Sequence, residues 1–144
     1  MAPHTTLTPR QLTLAILVVA AGGAMGTLLR DLALRIDSTH WYRQFVGTSG
    51  WPSRVPWILA LINVVGVYFA TVALKGPLVR NDPNNLTRLV IITGFFGGFT
   101  SYSSLYVSLG SIWHVSVPGA LLAALTAVLS GVAAAWLGAR SWAK

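Results

Sequence analysis

Four stretches of this chain carry no charged residue and are each long enough to cross a bilayer: Leu12 to Leu29, Val55 to Leu74, Leu89 to Leu109 and Val115 to Leu137. The first extends through Arg30 if the helix does. A hydrocarbon core about 30 Å thick needs roughly 20 apolar residues of helix. Every backbone N–H and C=O inside it must find a partner, and for runs of this kind a helix supplies one within the segment. Four such runs in 144 residues leave too little chain to bury them all in a soluble core. Charged residues make up only 9% of the chain, against about 25% in a soluble domain. The expected fold class is an all-α membrane protein with four transmembrane helices per subunit, a single domain over residues 1–144.

The net charge is +7, which in a soluble protein would suggest nucleic acid. Here the basic residues lie between apolar runs, so no nucleic-acid partner is expected. Arg10, Lys75, Arg80, Arg88, Arg140 and Lys144 fall on one side of the membrane, and Arg30, Arg35, Arg43 and Arg54 on the other. That is a weak bias towards both termini inside. The chain inserts either in both directions or mostly one way, as a multi-pass protein of the inner or plasma membrane. The first run follows Arg10 but lacks a clear small-x-small cleavage site and is followed by three more spans, so it reads as a span rather than a leader. The residues before it form a short tail, with Pro9 near the helix start. Trp41, Tyr42 and Trp51 in the first loop read as interface aromatics or a short surface helix. The second loop holds the polar run 81–85, and the third is a short connection around Gly110 to His114.

Polar residues are costly in hydrocarbon without partners. Asn63 lies near the middle of the second run and is either an interhelical hydrogen-bonding residue or a pore-lining donor to an anion. Gly66 shares its side of the helix and permits close packing, as do Gly22 and Gly26 in the first run. The third run reads Gly94-Phe95-Phe96-Gly97-Gly98-Phe99-Thr100-Ser101-Tyr102-Ser103-Ser104-Leu105. Its Gly pair and hydroxyl run are poor helix formers at mid-membrane depth. The hydroxyls either bond back to their own helix or accompany a break lining a cavity. Thr126 and Ser130 share one face of the fourth run, with the same two readings.

The only acids, Asp31, Asp37 and Asp82, stand at or beyond the span ends. Proton-coupled transporters usually carry a titratable group within the membrane. There is no cysteine, no paired acids for hydrolysis, no base beside the hydroxyls and no phosphate loop. Passive permeation is expected, and enzymatic activity is not.

The motifs Gly22-Gly23-Ala24-Met25-Gly26-Thr27-Leu28-Leu29-Arg30, Asn63-x-x-Gly66 and Gly94-x-x-Gly97-Gly98-Phe99-Thr100-Ser101-Tyr102-Ser103 occur in this order. With them the whole chain resembles the Fluc/CrcB family of small fluoride channels. The resemblance implies an antiparallel, dual-topology dimer of four-helix subunits with two fluoride pores, a broken third helix and a structural sodium ion at the dimer centre. It implies that Gly97 and Thr100 offer backbone carbonyls to the sodium and that Asn63 faces fluoride. Ser103 and Ser104 would lie beside the pore, Thr126 and Ser130 would line it in the fourth helix, and Arg30 would mark a vestibule. Tyr102 and Leu105 stand where the family usually has two pore phenylalanines. Tyr102 keeps an aromatic edge, whereas Leu105 loses it. Ile58-Leu59 and Asp31 also depart from the pattern. The chain is therefore expected to be a passive fluoride exporter that reduces fluoride toxicity, acting as a homodimer or as half of a heterodimer with a paralogous subunit. The competing readings are a non-conducting or partly conducting partner subunit and a small dual-topology multidrug transporter. A bulky residue at Gly97 is expected to disturb both the bend and a close helix contact.

Overall fold

The structure, a computed structural model, describes residues 8–47, 49–82 and 85–142. The tail before Thr8, positions 83–84 of the polar loop and the Trp41 side chain lie outside the described residues. Four segments are long and apolar enough to cross a membrane: Pro9–Leu34, Trp57–Lys75, Leu86–Trp113 and Val117–Arg140. The all-helical, four-span architecture is thus present; the first and third segments run beyond the uncharged runs at both ends, while the second and fourth start two residues inside theirs and run past the far end. Thr8 explains the early start of the first. Its hydroxyl accepts from the Gln11 N–H at 3.3 Å, and its own N–H donates to Gln11 Oε1 at 2.9 Å. Both are N-terminal amides that no helical carbonyl reaches. Pro9 occupies the first turn, where its missing N–H costs nothing.

Helix α1 (Pro9–Leu34) gives way to a 3₁₀ turn, Arg35–Ser38, and the short surface helix α2 (His40–Val46). Asp31 pairs with Arg35 at 3.3 Å, one turn along the exposed helix surface. After a second 3₁₀ turn, Pro52–Arg54, the second span is α3 (Trp57–Lys75). The short helices α4 (Pro77–Arg80) and α5 (Leu86–Arg88) lead into the third span. That span has wide, π-type turns over Leu89–Phe96, a short α6 (Gly97–Phe99) and then α7 (Tyr102–Trp113). Helix α7 takes in most of the expected third loop, and only a tight turn remains before α8 (Val117–Arg140). Ser116 caps α8 by accepting from the Gly119 N–H at 3.1 Å.

The spans pack as two parallel pairs. Along α1, Gly22 faces Val90, Gly94 and Phe95, and one turn later Gly26 faces Phe95 and Phe99. Along α8, Gly119 meets Trp51 just before α3, and Gly138 meets Tyr68 and Thr71 near the end of α3. The α1 crossing is backbone on backbone. A methyl group at Gly26 would run into the Phe95 carbonyl oxygen and stand 2.8 Å from the Phe99 nitrogen. One at Gly94 would stand 2.8 Å from the Val19 carbonyl oxygen. Small residues let helices approach this closely, and in lipid such packing replaces the hydrophobic effect between helices.

A small apolar core of Val55, Leu59, Leu105, Leu109, Ile112, Ala120 and Ala127 ties α3, α7 and α8 together at the first-loop end. Most of the other large apolar side chains point outwards: Val107 is 80% exposed and Met25 65%. Outward Leu61, Val65 and Phe69 recur every fourth residue on α3 and form a face suited to lipid. At the other membrane boundary the Trp142 indole N–H donates to the Val72 carbonyl at 2.9 Å, and the Arg140 guanidinium lies 3.7 Å from the Trp136 ring centre. Both are suited to an interface, where an aromatic ring can be half apolar and half polar.

Replacing Gly26 by Val should overpack the α1 crossing and cost about 1–3 kcal/mol. Gly110, with open space around its Cβ position, should tolerate Ala with a gain of up to about 1 kcal/mol from helix propensity. Thermal unfolding midpoints of the purified variants in detergent test the contrast. A Gly26→Val protein as stable as the parent would contradict this packing.

Candidate functional site at the middle of the third span

Between α6 and α7 two residues leave helical geometry. Thr100 has φ −89° and ψ 143°, and Ser101 has φ −150° and ψ 89°. Hydrogen bonding is rearranged around them. Helix α6 is held at its end by the Thr100 N–H and Thr100 hydroxyl, which both donate to the Phe96 carbonyl, at 3.0 Å and 2.8 Å. Helix α7 begins with Ser101 as its cap, whose hydroxyl accepts from the Ser104 N–H at 3.3 Å.

The Ser101 backbone is held from α3. Asn63, only 1% exposed, accepts from the Ser101 N–H through Oδ1 at 2.7 Å and donates from Nδ2 to the Ser101 carbonyl at 3.3 Å. A carboxamide is suited to this because it presents a donor and an acceptor side by side. Gly66, one turn along α3, gives the segment room. A methyl group there would run into Thr100 Cγ2 and stand 3.1 Å from the Phe99 ring.

The rearrangement changes what the preceding carbonyls meet. In a regular α-helix the Ser101 N–H would bond the Gly97 carbonyl, and the Ser104 N–H would bond the Thr100 carbonyl. Here the first goes to Asn63 and the second to the Ser101 hydroxyl. Gly97 and Thr100 therefore present carbonyls released from their regular helical donors. The Gly98 carbonyl accepts instead from the Thr27 hydroxyl of α1, at 3.4 Å.

The expectation of a close contact at Gly97 needs correction. Beyond its immediate surroundings a methyl group there would meet only the Ile92 carbonyl oxygen, at 3.9 Å. The tight position is Gly98, whose methyl group would collide with the Gly23 carbonyl and approach Gly23 Cα and Thr27 Oγ1 at 3.0 Å. In the Gly97-Gly98 pair, the second residue faces α1.

Leu105 is 1% exposed and belongs to the core. It also lines a cleft of about 340 Å³ with Thr126, Ser130, Trp51 and Trp57. The Tyr102 hydroxyl lies against Gly131 of α8, where a methyl group would collide with it. Ser103 and Ser104 are exposed, and the Ser104 hydroxyl is 2.7 Å from the Ser101 hydroxyl. Thr126 and Ser130 donate to carbonyls of their own helix, those of Leu122 at 2.8 Å and Ala127 at 3.1 Å. Arg30 is half-buried one turn before the end of α1. The cleft thus gathers Leu105, Thr126 and Ser130, while Asn63 lies at the Ser101 backbone and Arg30 on another span.

Four further residues contribute to this region. Ser101 is the cap of α7 as well as the residue held by Asn63, and its spacing to Ser104 was the available signal. Gly131 makes room for Tyr102, which no local pattern announces. Ser108 and Ser111 continue the hydroxyl row beyond Ser104, donating to the Ser104 and Ser108 carbonyls at 3.0 Å and 2.7 Å. Their spacing along one helix face was legible.

Comparison with known proteins gives a consistent set of relatives. The family described as CrcB-like protein, Camphor Resistance (CrcB), matches residues 17–139. The chain is 33% identical to a Variovorax paradoxus protein named fluoride-specific ion channel FluC, over 89% of this chain and 94% of that one. It is 32% identical to the Cutibacterium acnes protein named fluoride-specific ion channel FluC 1, over 83% and 79%. A Roseiflexus protein named fluoride-specific ion channel FluC is 32% identical over 86% and 93%. No solved structure matches the chain at a significant level.

Asn63→Leu should leave the Ser101 N–H without its partner, at a cost of about 1–3 kcal/mol. The checks are a lowered unfolding midpoint and faster amide hydrogen exchange at Ser101. Thr100→Ser keeps the hydroxyl that bonds Phe96 and should be close to neutral in both measurements.

Proposed function

The chain belongs to the CrcB family, and from that membership we propose that it is a fluoride-selective channel that lets cytoplasmic fluoride leave passively and so limits fluoride toxicity. The observation that carries this reading is the nearly end-to-end similarity to relatives named fluoride-specific ion channels. The protein is a channel, not an enzyme. It is a multi-pass membrane protein, and the membrane is the inner or plasma membrane. The functional unit is an antiparallel dimer, formed either by two copies of this chain or with a paralogous subunit.

Fluoride is small and strongly hydrated, so a pore must replace its water with N–H and O–H donors. The Asn63 amide has two hydrogens and gives one to the Ser101 carbonyl. The second is its donor to fluoride, held in place by the same pairing. Ser103 and Ser104 supply hydroxyl donors near the third span's non-helical pair, and Thr126 and Ser130 supply them along the cleft by exchanging their bonds to the Leu122 and Ala127 carbonyls for the anion. The Tyr102 ring offers a positive edge to the anion, and Arg30 draws anions to the vestibule.

The non-helical Thr100–Ser101 pair acts in this reading as the break in the third helix. The donor chemistry of Gly97 and Thr100 fits a sodium ion at the dimer centre: hard carbonyl oxygens released from helical pairing. Bound there, sodium supplies a positive charge that offsets the carbonyl dipoles and favours anion passage.

One observation favours a second reading, a subunit that conducts poorly without a paralogous partner. Leu105 is wholly buried in the core and has no aromatic edge. Fluoride efflux from liposomes holding the purified chain alone tests both. We expect fluoride to pass much faster than chloride with no need of a proton gradient. Asn63→Leu at equal reconstituted dimer should lower flux by about tenfold or more, the equivalent of one lost hydrogen bond to a charged group. Leu105→Phe should raise flux. Flux coupled stoichiometrically to protons would contradict the channel, and flux only on adding the paralogous subunit would establish the second reading.

A further inference from the structure

The first loop contains a second polar feature, separate from the mid-membrane site. A cavity of about 390 Å³ lies between α2 and the start of α3, lined by Tyr42, Arg43, Gly47, Ser53, Arg54 and Val55 among others. Gly47 ends α2 at φ 84°, a left-handed conformation that a side chain would disfavour. The chain turns there, and Arg43 and Arg54 come to line the same cavity. The opposite wall is fixed by two bonds, from the Ser53 hydroxyl to the Gly50 carbonyl at 2.8 Å and from the Trp57 indole to the Pro52 carbonyl at 2.9 Å.

Neither arginine has an ion pair among the described residues, where the one pair is Asp31 with Arg35. Two arginines lining one cavity whose lining has no carboxylate are a recognition element for an oxyanion, which a planar guanidinium fork can bind with two parallel hydrogen bonds. The volume is far larger than a fluoride ion needs. Its location points to the source of the anion. Val55 lines both this cavity and the apolar cleft beside Trp57 and Leu61. Trp57 and Leu61 are 43% and 57% exposed, and Leu61 opens the outward apolar row of α3. The cavity therefore sits where a lipid-facing helix surface meets the membrane boundary.

We infer that Arg43 and Arg54 form a binding site for a phosphate ester carried by a membrane lipid. The phosphate lies between the two guanidinium groups, and an acyl chain follows the outward face of α3 past Trp57 and Leu61. The ligand class is an anionic phospholipid. The site holds the first loop at the headgroup level, and binding stabilises the folded protein by mass action.

The test uses the full chain in detergent, with phosphatidylglycerol, phosphatidylcholine and inorganic phosphate added separately. Native mass spectrometry reads bound lipid, and the thermal unfolding midpoint reads stabilisation. Phosphatidylglycerol should be retained and raise the midpoint more than phosphatidylcholine. The double variant Arg43→Gln/Arg54→Gln should weaken that retention by about tenfold or more, the scale of losing charge-assisted bonds. Arg→Lys at both positions should restore part of it by returning charge without the fork. Arg35→Gln, outside the cavity, should change nothing. Lipid retention that is equal in the parent and the double variant would overturn the site. Stabilisation by inorganic phosphate with no preference for the lipid would overturn the lipid assignment. Both readouts are independent of fluoride flux, so a failure here is distinguishable from a failure of the channel reading.

Discussion

The pairing of Asn63 with both backbone groups of Ser101 is the interaction on which the middle of this molecule depends. For a chain crossing hydrocarbon, each amide or carbonyl without a partner is costly. Two successive residues outside helical geometry do not continue the helical ladder, so their backbone groups need other partners. A single carboxamide on the neighbouring span satisfies the Ser101 N–H and shares its carbonyl with the Leu105 N–H. The Ser101 hydroxyl then caps α7, and the Thr100 hydroxyl reinforces the end of α6. Polar side chains that look expensive in a membrane are here the means by which a non-helical segment is accommodated.

That accommodation needs space, and glycine supplies it on two sides. Gly66 makes room for Thr100 and Phe99, while Gly23 and Gly98 bring α1 against the short α6. With few large side chains buried inside the subunit, backbone approach takes over much of the packing. The apolar bulk of the spans is turned outwards, as suits a protein whose solvent on that side is lipid.

In the proposed channel the same arrangement links packing to conduction. Asn63 is both an interhelical hydrogen-bonding residue and, in the proposed channel, a fluoride donor. These are two uses of one carboxamide, with its orientation fixed by Ser101. The releases at Gly97 and Thr100 arise from the same pairing, since the N–H groups that would have met their carbonyls are engaged elsewhere. A change at Asn63 therefore acts on stability and on the carbonyls together, and in the proposed channel on the pore donor as well. The arginine-lined cavity of the first loop stands apart from this network and concerns how the subunit meets the membrane surface.

Much was legible in the sequence because hydrocarbon imposes so few solutions. Four uncharged runs of sufficient length determined four spanning helices, and small residues at Gly22, Gly26 and Gly66 marked the faces of close approach. Asn63 and the Gly-Gly-Phe-Thr-Ser run stood out because polar and weakly helical residues at that depth demand a reason. The sequence by itself left open whether Asn63 faced a neighbouring helix or an anion, and whether the hydroxyls bonded their own helix or lined a break. Tertiary structure decided that Asn63 meets Ser101, that Gly98 rather than Gly97 lies against α1, and that the Tyr102 hydroxyl rests against Gly131. It also turned Arg43 and Arg54, eleven positions apart in the chain, towards one cavity. Periodicity along one helix specifies a face but not the residue opposite it. That partner depends on the rotation and crossing of two helices, which the packed chain alone determines.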